Sequence, residues 1–222
     1  MSTRNGQNAS PYLPEDTVLA GKWVILGHIA TGGKGEVYLA KQRNLDREVA
    51  VKIISPEFLS MMEAHAEDME AEIQRFRREV LIMARIRHPN ILQIYDFEEV
   101  EYNGQRLEFI VMEYIPGSTL RMTMPEEGLA DRPAELADWI RNYFFPVLSG
   151  MAAIHAQGIV HRDMKPENIL MDGEIAKITD FGLSGGKWLD SVTRSHHILG
   201  TMTYMPREQF LDLPLTDARA DI

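Results

Sequence analysis

One stretch decides how this chain is to be understood: His161-Arg162-Asp163-Met164-Lys165-Pro166-Glu167-Asn168, with Asp180-Phe181-Gly182 shortly after it. Three carboxylates, an ammonium and an amide fall within these residues. Asn168 and Asp180 supply oxygen donors, which suit a hard cation such as Mg2+. Taken singly, such carboxylates are solvated loop residues or halves of surface salt bridges. Their meaning depends on what surrounds them.

The surrounding 222 residues are 45% hydrophobic and 25% charged, ordinary for a folded globular chain. The formal net charge is −10, which argues against a nucleic-acid partner and against a basic membrane-surface protein. There is no cysteine, so disulfides, thiolate catalysis and Cys-based zinc sites are excluded. That fits a reducing, cytoplasmic setting. Residues 1–14 are polar and lack the apolar core of a signal peptide. Residues 142–160 carry no Asp, Glu, Lys or Arg, yet Pro146, Ser149, His155 and Gln157 make a buried helix the better expectation than a membrane segment.

Residues 1–20 lack periodicity and are expected to form a flexible tail. Short β-branched or aromatic runs at 23–29, 35–40 and 48–54 predict strands, joined by turns at 31–34 and 44–46. A helical pattern covers 56–87; Ile73, Phe76, Val80 and Met83 lie on one face of it. His88-Pro89-Asn90 ends it. Strands at 91–97 and 106–114 follow, joined at Asn103-Gly104, and Pro116-Gly117 breaks the chain again. Beyond that the pattern turns helical, beginning with 133–155. A strand-rich first half thus gives way to a helix-rich second half near 113–117, and a cleft between two such lobes is a natural ligand site.

Two residues can be argued from position alone. Strand alternation puts Ala50 and Lys52 on the same face. Glu79 falls on the apolar stripe of the long helix, between Phe76 and Met83, and a carboxylate there needs a partner. Lys52 is the first candidate for that partner. Glu70 and Glu72 lie farther up the same helix and are the alternative acids.

With Val49-Ala50-Val51-Lys52 and Ala30-Thr31-Gly32-Gly33-Lys34-Gly35-Glu36-Val37 added to the opening stretch, the chain resembles the eukaryotic-type (Hanks-type) Ser/Thr protein kinases, nearest in pattern to the bacterial members. The resemblance runs from about Lys22 to Ile222. It implies an α+β fold of two lobes: an N-lobe and hinge over 21–116 with an antiparallel sheet and one main helix, and a mainly helical C-lobe over 117–222. Residues 217–222 resemble the start of the helix that follows the activation segment, so the C-lobe is expected to be incomplete.

The resemblance implies transfer of the ATP γ-phosphate to Ser/Thr hydroxyls of protein substrates, this chain among them. ATP with Mg2+, or alternatively Mn2+, is the implied cofactor. Asp163 matches the catalytic aspartate, Lys165 the lysine that steadies the transferring phosphate, and Thr201 the threonine that contacts both. Lys52 and Glu79 match the family's ion pair, and Asn168 and Asp180 its metal ligands. The nucleotide site is implied for Ile29, Ala30, Gly32, Gly33, Gly35, Val37, Ala50, Met112, Glu113, Ile115 and Leu170, with Met112 as gatekeeper and the backbone of Glu113 and Ile115 as hinge. Met83, Ile94, His161 and Phe181 resemble a packed regulatory column, anchored by Asp221. Thr193 and Ser195 are the implied activation-segment phosphosites, facing Arg162.

Two departures stand out. Ala30 replaces the first glycine of the loop, and Pro206-Arg207-Glu208 replaces Ala-Pro-Glu. They lend some weight to the alternative, a pseudokinase or inactive fragment that binds nucleotide or acts as a scaffold. The intact Lys52, Asp163 and Asp180 weigh against it.

Overall fold

The computed structural model describes residues 13–32, 34–55, 69–180, 204–208 and 217–222. The chain divides into two compact units, Met1–Ser60 with Phe97–Tyr114, and Met61–Asp96 with Ile115–Ile222.

The first unit is built on a sheet of β1 (Val18–Leu19), β2 (Trp23–Gly32), β3 (Gly35–Gln42), β4 (Arg47–Ile54), β5 (Ile94–Tyr102, in this unit from Phe97 on) and β6 (Gln105–Glu113), in the order β1-β2-β3-β4-β6-β5. Two tight connections show their chemistry plainly. Asp46 and Asn103 adopt left-handed backbone at φ 50 for each, which short polar side chains tolerate best. Alternation then sends Tyr38, Ala40, Val49, Val51, Ile53, Leu107, Phe109 and Val111 into one apolar layer, joined by Trp23 and Ile25. Leu13 and Leu19 cover it.

That cover corrects the expectation of a tail through residue 20. Leu13 and Leu19 are 1% and 0% exposed, and the backbone of Asp16 and Thr17 bonds to Ile25 at 2.8 and 2.9 Å. The polar composition of the segment concealed two leucines that the sheet needs. Glu98 on β5 also reaches back to the start of β2, accepting from Trp23 Nε1 at 2.9 Å and Lys22 Nζ at 3.2 Å.

The second unit contains α1 (Met69–Met83), α2 (Leu120–Thr123), α3 (Pro133–Trp139) and α4 (Phe145–His155), then the hairpin β7 (Ile169–Asp172) and β8 (Ile175–Ile178). Phe76, Val80 and Met83 are buried, as their spacing requires. The expected start of this helix near Pro56 lies outside the described residues.

The single helix expected over 133–155 is instead interrupted by a π turn at Ile140–Phe144. Pro146 explains it. A proline has no N–H to give and its ring crowds the carbonyl four residues back, and a wider turn relieves both. α4 buries Val147, Gly150, Met151 and Ile154. A side chain at Gly150 would come within 2.9 Å of Ile178 Cδ1 and 3.1 Å of the Asn90 carbonyl, so glycine lets α4 approach β8. No helix among the described residues is long and apolar enough to cross a membrane. Sheet and helices together give the α+β class expected from the sequence.

Candidate active site

In the first unit the site residues are placed by strand register. Lys52 pairs with Val37 on β3 and Ile110 on β6; Ala50 pairs with Leu39 and Met112. Directly paired residues share a face, so these six side chains occupy the face opposite the apolar layer. Lys52, Ala50 and Met112 are 6%, 7% and 8% exposed. The turn between β2 and β3 is closed by the pairs Ala30–Val37, Thr31–Glu36 and Gly32–Gly35. Gly35 has φ 139, and a side chain there would meet the Ile53 carbonyl at 1.9 Å, so only glycine fits. Ile29 sits at a bulge in β2 and is 45% exposed. Gly33 lies outside the described residues.

In the second unit the site is a loop held by polar bonds. Lys165 Nζ lies 3.0 Å from Asp163 Oδ1. Asn168 Nδ2 donates to the Asp163 carbonyl at 2.7 Å and to Asp163 Oδ2 at 3.0 Å. His161 is fully buried; its Nδ1 accepts from the Asp163 N–H at 3.3 Å and its Nε2 donates to the Thr179 carbonyl at 2.8 Å. That pairing assigns the ring proton to Nε2 and gives His161 a structural task.

Beneath the loop, Asp221 collects three donors. Oδ2 accepts from the His161 N–H at 2.7 Å and from His155 Nε2 at 2.8 Å, and Oδ1 from the Arg162 N–H at 2.7 Å. Arg162 sits at φ 64 and Asp180 at φ 62, a conformation that costs a non-glycine residue about 1–3 kcal/mol and persists only where neighbours enforce it. For Arg162 the enforcing group is Asp221. The Thr179 N–H donates to the Asn168 carbonyl at 2.9 Å, which brings the start of the Asp180 segment to Asn168.

Comparison with known proteins matches residues 23–222 to the protein kinase domain family. The chain belongs to that family. Serine/threonine-protein kinase PrkC of Bacillus subtilis is 38% identical over 193 residues, covering 86% of this chain and 27% of that protein. PknL of Mycobacterium bovis is 37% identical over 210 residues, covering 94% and 48%. The chain thus spans less than half the length of these curated relatives. The crystal structure of a Mycobacterium tuberculosis PknI kinase domain shares the fold, with a TM-score of 0.66 at 24% identity over 95% of this chain and 72% of that one.

Within this kinase domain, the chain leaving Ile115 is stitched to the strand that carries Leu170. The Met171 N–H donates to the Ser118 carbonyl at 2.8 Å, and Thr119 bridges to Leu170. Gly117 permits this, because a side chain there would meet the Met171 carbonyl at 1.9 Å. Glu113 ends β6 in the first unit. Glu79 lies half-buried on α1, Met83 and Ile94 are buried, and Glu208 is exposed. Thr201, Phe181, Thr193 and Ser195 lie outside the described residues.

Asn168 spends its Nδ2 on Asp163, which leaves its side-chain Oδ1; that oxygen and the carboxylate oxygens of Asp180 are the donor type a hard divalent ion takes. Among the described residues, no group of three His, Cys, Asp or Glu side chains is placed to hold a metal. The last turn, Ala218–Asp221, is capped by Asp217, whose Oδ1 accepts from the Arg219 N–H at 2.9 Å. The Arg219 side chain, bonded to the same carboxyl, holds it below the usual carboxylate range. The His155 bond to Asp221 has almost no signature in the sequence, beyond a histidine ending a buried helix.

Proposed function

We propose that the chain transfers the γ-phosphate of ATP, as its Mg2+ complex, to Ser/Thr hydroxyls of protein substrates. The observation that carries this reading is the Asp163 carboxylate, held by Lys165 and Asn168 on a backbone fixed through His161. A carboxylate so fixed can orient a hydroxyl and take its proton, while the neighbouring ammonium meets the charge on the incoming phosphoryl group. The hydroxyl oxygen bonds to the γ-phosphorus, the bond to the β–γ bridging oxygen breaks, ADP departs and the proton passes to Asp163.

Lys52 is assigned to the α/β-phosphates, and Val37, Ala50, Met112 and Leu170 to the adenine. Asn168 and Asp180 would hold Mg2+, which supplies charge neutralisation on the phosphates when bound. Glu79 is assigned to Lys52 as its ion-pair partner, and Thr201 to Asp163 and Lys165.

Transfer of radiolabel from ATP to a Ser/Thr protein substrate, or to the chain itself, tests the reading. Asp163→Asn is expected to lower transfer by about 10²–10⁴-fold while nucleotide binding persists. Nucleotide binding by the unaltered chain with no transfer at high concentration would overturn it, and would favour a nucleotide-binding scaffold.

A further inference from the structure

Glu36 is a buried carboxyl beside the glycine-rich turn that the proposed chemistry does not use. Glu36 directly follows Gly35, yet its side chain lies on the opposite face of β3 and is only 8% exposed. A buried carboxyl needs a partner. Its partner is Tyr38, which is fully buried and donates its hydroxyl to Glu36 Oε2. The same hydroxyl oxygen accepts the Leu13 N–H at 3.1 Å.

Tyr38 also touches the other strand of the turn. Its ring meets His28 edge-on, at 5.3 Å between centroids and 76° between planes, and His28 Nε2 lies 3.0 Å from Thr31 Oγ1. Both strands leaving the glycine-rich turn are thereby referred to one side chain. On the far side of β3 the Ile53 carbonyl lies so close to Gly35 that no side chain fits there. The outer side is set by the segment that carries Leu13, itself paired with Ile25.

We infer that Glu36 and Tyr38 are positioning residues for the nucleotide, and that residues 13–19 act through them to fix the glycine-rich turn. This rests on the kinase reading only in taking that turn as part of the nucleotide site. Glu36 and Tyr38 touch no reacting atom. They set how closely the turn's backbone can approach the phosphates.

The test uses the whole chain with a fluorescent ATP analogue and Mg2+. Tyr38→Phe keeps the ring against His28 and removes both hydroxyl bonds. It is expected to weaken analogue binding about tenfold, the scale of one hydrogen bond to a charged group. KM for ATP should rise with it while kcat changes less. Glu36→Gln, which keeps an acceptor for the hydroxyl, should retain most of the affinity; Glu36→Leu should not.

Hydrogen exchange supplies a readout that mere structural support would not move. Exchange at the Leu13 amide should slow when the analogue binds, and that slowing should vanish in Tyr38→Phe. If Tyr38→Phe and Glu36→Leu bind the analogue as the unaltered chain does, the inference is overturned. So it is if the Leu13 amide ignores the analogue. A chain that binds the analogue but transfers no phosphate overturns the proposed function instead, and leaves this affinity test intact.

Discussion

Lys52 and Ala50 stand where strand pairing puts them, whereas Asp163 stands where side chains hold the backbone. In the first unit, a pair such as Ala50–Met112 is the by-product of a ladder whose other face buries Tyr38, Val51 and Phe109. The placement is shared among many apolar contacts, each modest. In the second unit, three donors converge on the single carboxylate of Asp221, and a left-handed Arg162 depends on it. Distributed placement should bend under substitution, and concentrated placement should break.

The largest effect expected from this contrast is at Asp221. Asp221→Ala leaves the His161 and Arg162 amides and His155 Nε2 without their acceptor, at sites mostly shut off from water. Removing the acceptor side of such a buried cluster costs about 3–5 kcal/mol. A denaturation midpoint should show it, and phosphate transfer should fall at any denaturant concentration where the chain is still folded. A loss under about 1 kcal/mol would mean that Arg162 is held by something other than Asp221.

The same contrast explains what could be read without a structure. Register is written in alternation, so the common face of Ala50 and Lys52 was legible from Val49-Ala50-Val51-Lys52 alone. The partners of Asp221 were not, because they lie some sixty residues back along the chain and are mostly backbone amides, which carry no sequence identity. The π turn before Pro146 was hidden for another reason: proline marks a disturbed helix, but not how the helix absorbs it. Leu13 and Leu19 were lost in a polar segment because a short covering strand has no period to detect.

A middle-sized effect is expected at Trp23, whose indole Nε1 bonds Glu98 across the unit. Trp23→Phe removes that bond and some buried ring, yet Glu98 keeps Lys22 and the apolar layer keeps its other members. The expected loss is about 1–2 kcal/mol in a urea midpoint, with transfer unchanged. A loss as large as that of Asp221→Ala would show that the first unit also depends on a single polar contact, and the contrast would fail.

The smallest effect belongs to Lys41 and Asp46, whose ion pair at 2.6 Å spans the β3–β4 turn. The hydrogen bond and charge of Asp46 hold the Lys41 ammonium above its ordinary 10.5. A folded-state value raised in this way gives stability that is complete below 10.5 and is lost as the pH climbs through the raised value. Both side chains are open to solvent, however, at 43% and 84%, and water and salt screen such a pair almost completely. Asp46→Asn is a clean probe, because asparagine accepts the left-handed backbone at this position as readily as aspartate does. Urea midpoints of the variant and the unaltered chain should coincide from about pH 7 to about pH 10. A gap near neutral pH that closes above 10.5 would give the pair a measurable share, with the sign that a raised ammonium requires. A gap wider than that of Trp23→Phe would mean that an exposed turn contact outweighs a half-buried one, and placement in the first unit would then be neither distributed nor mainly apolar.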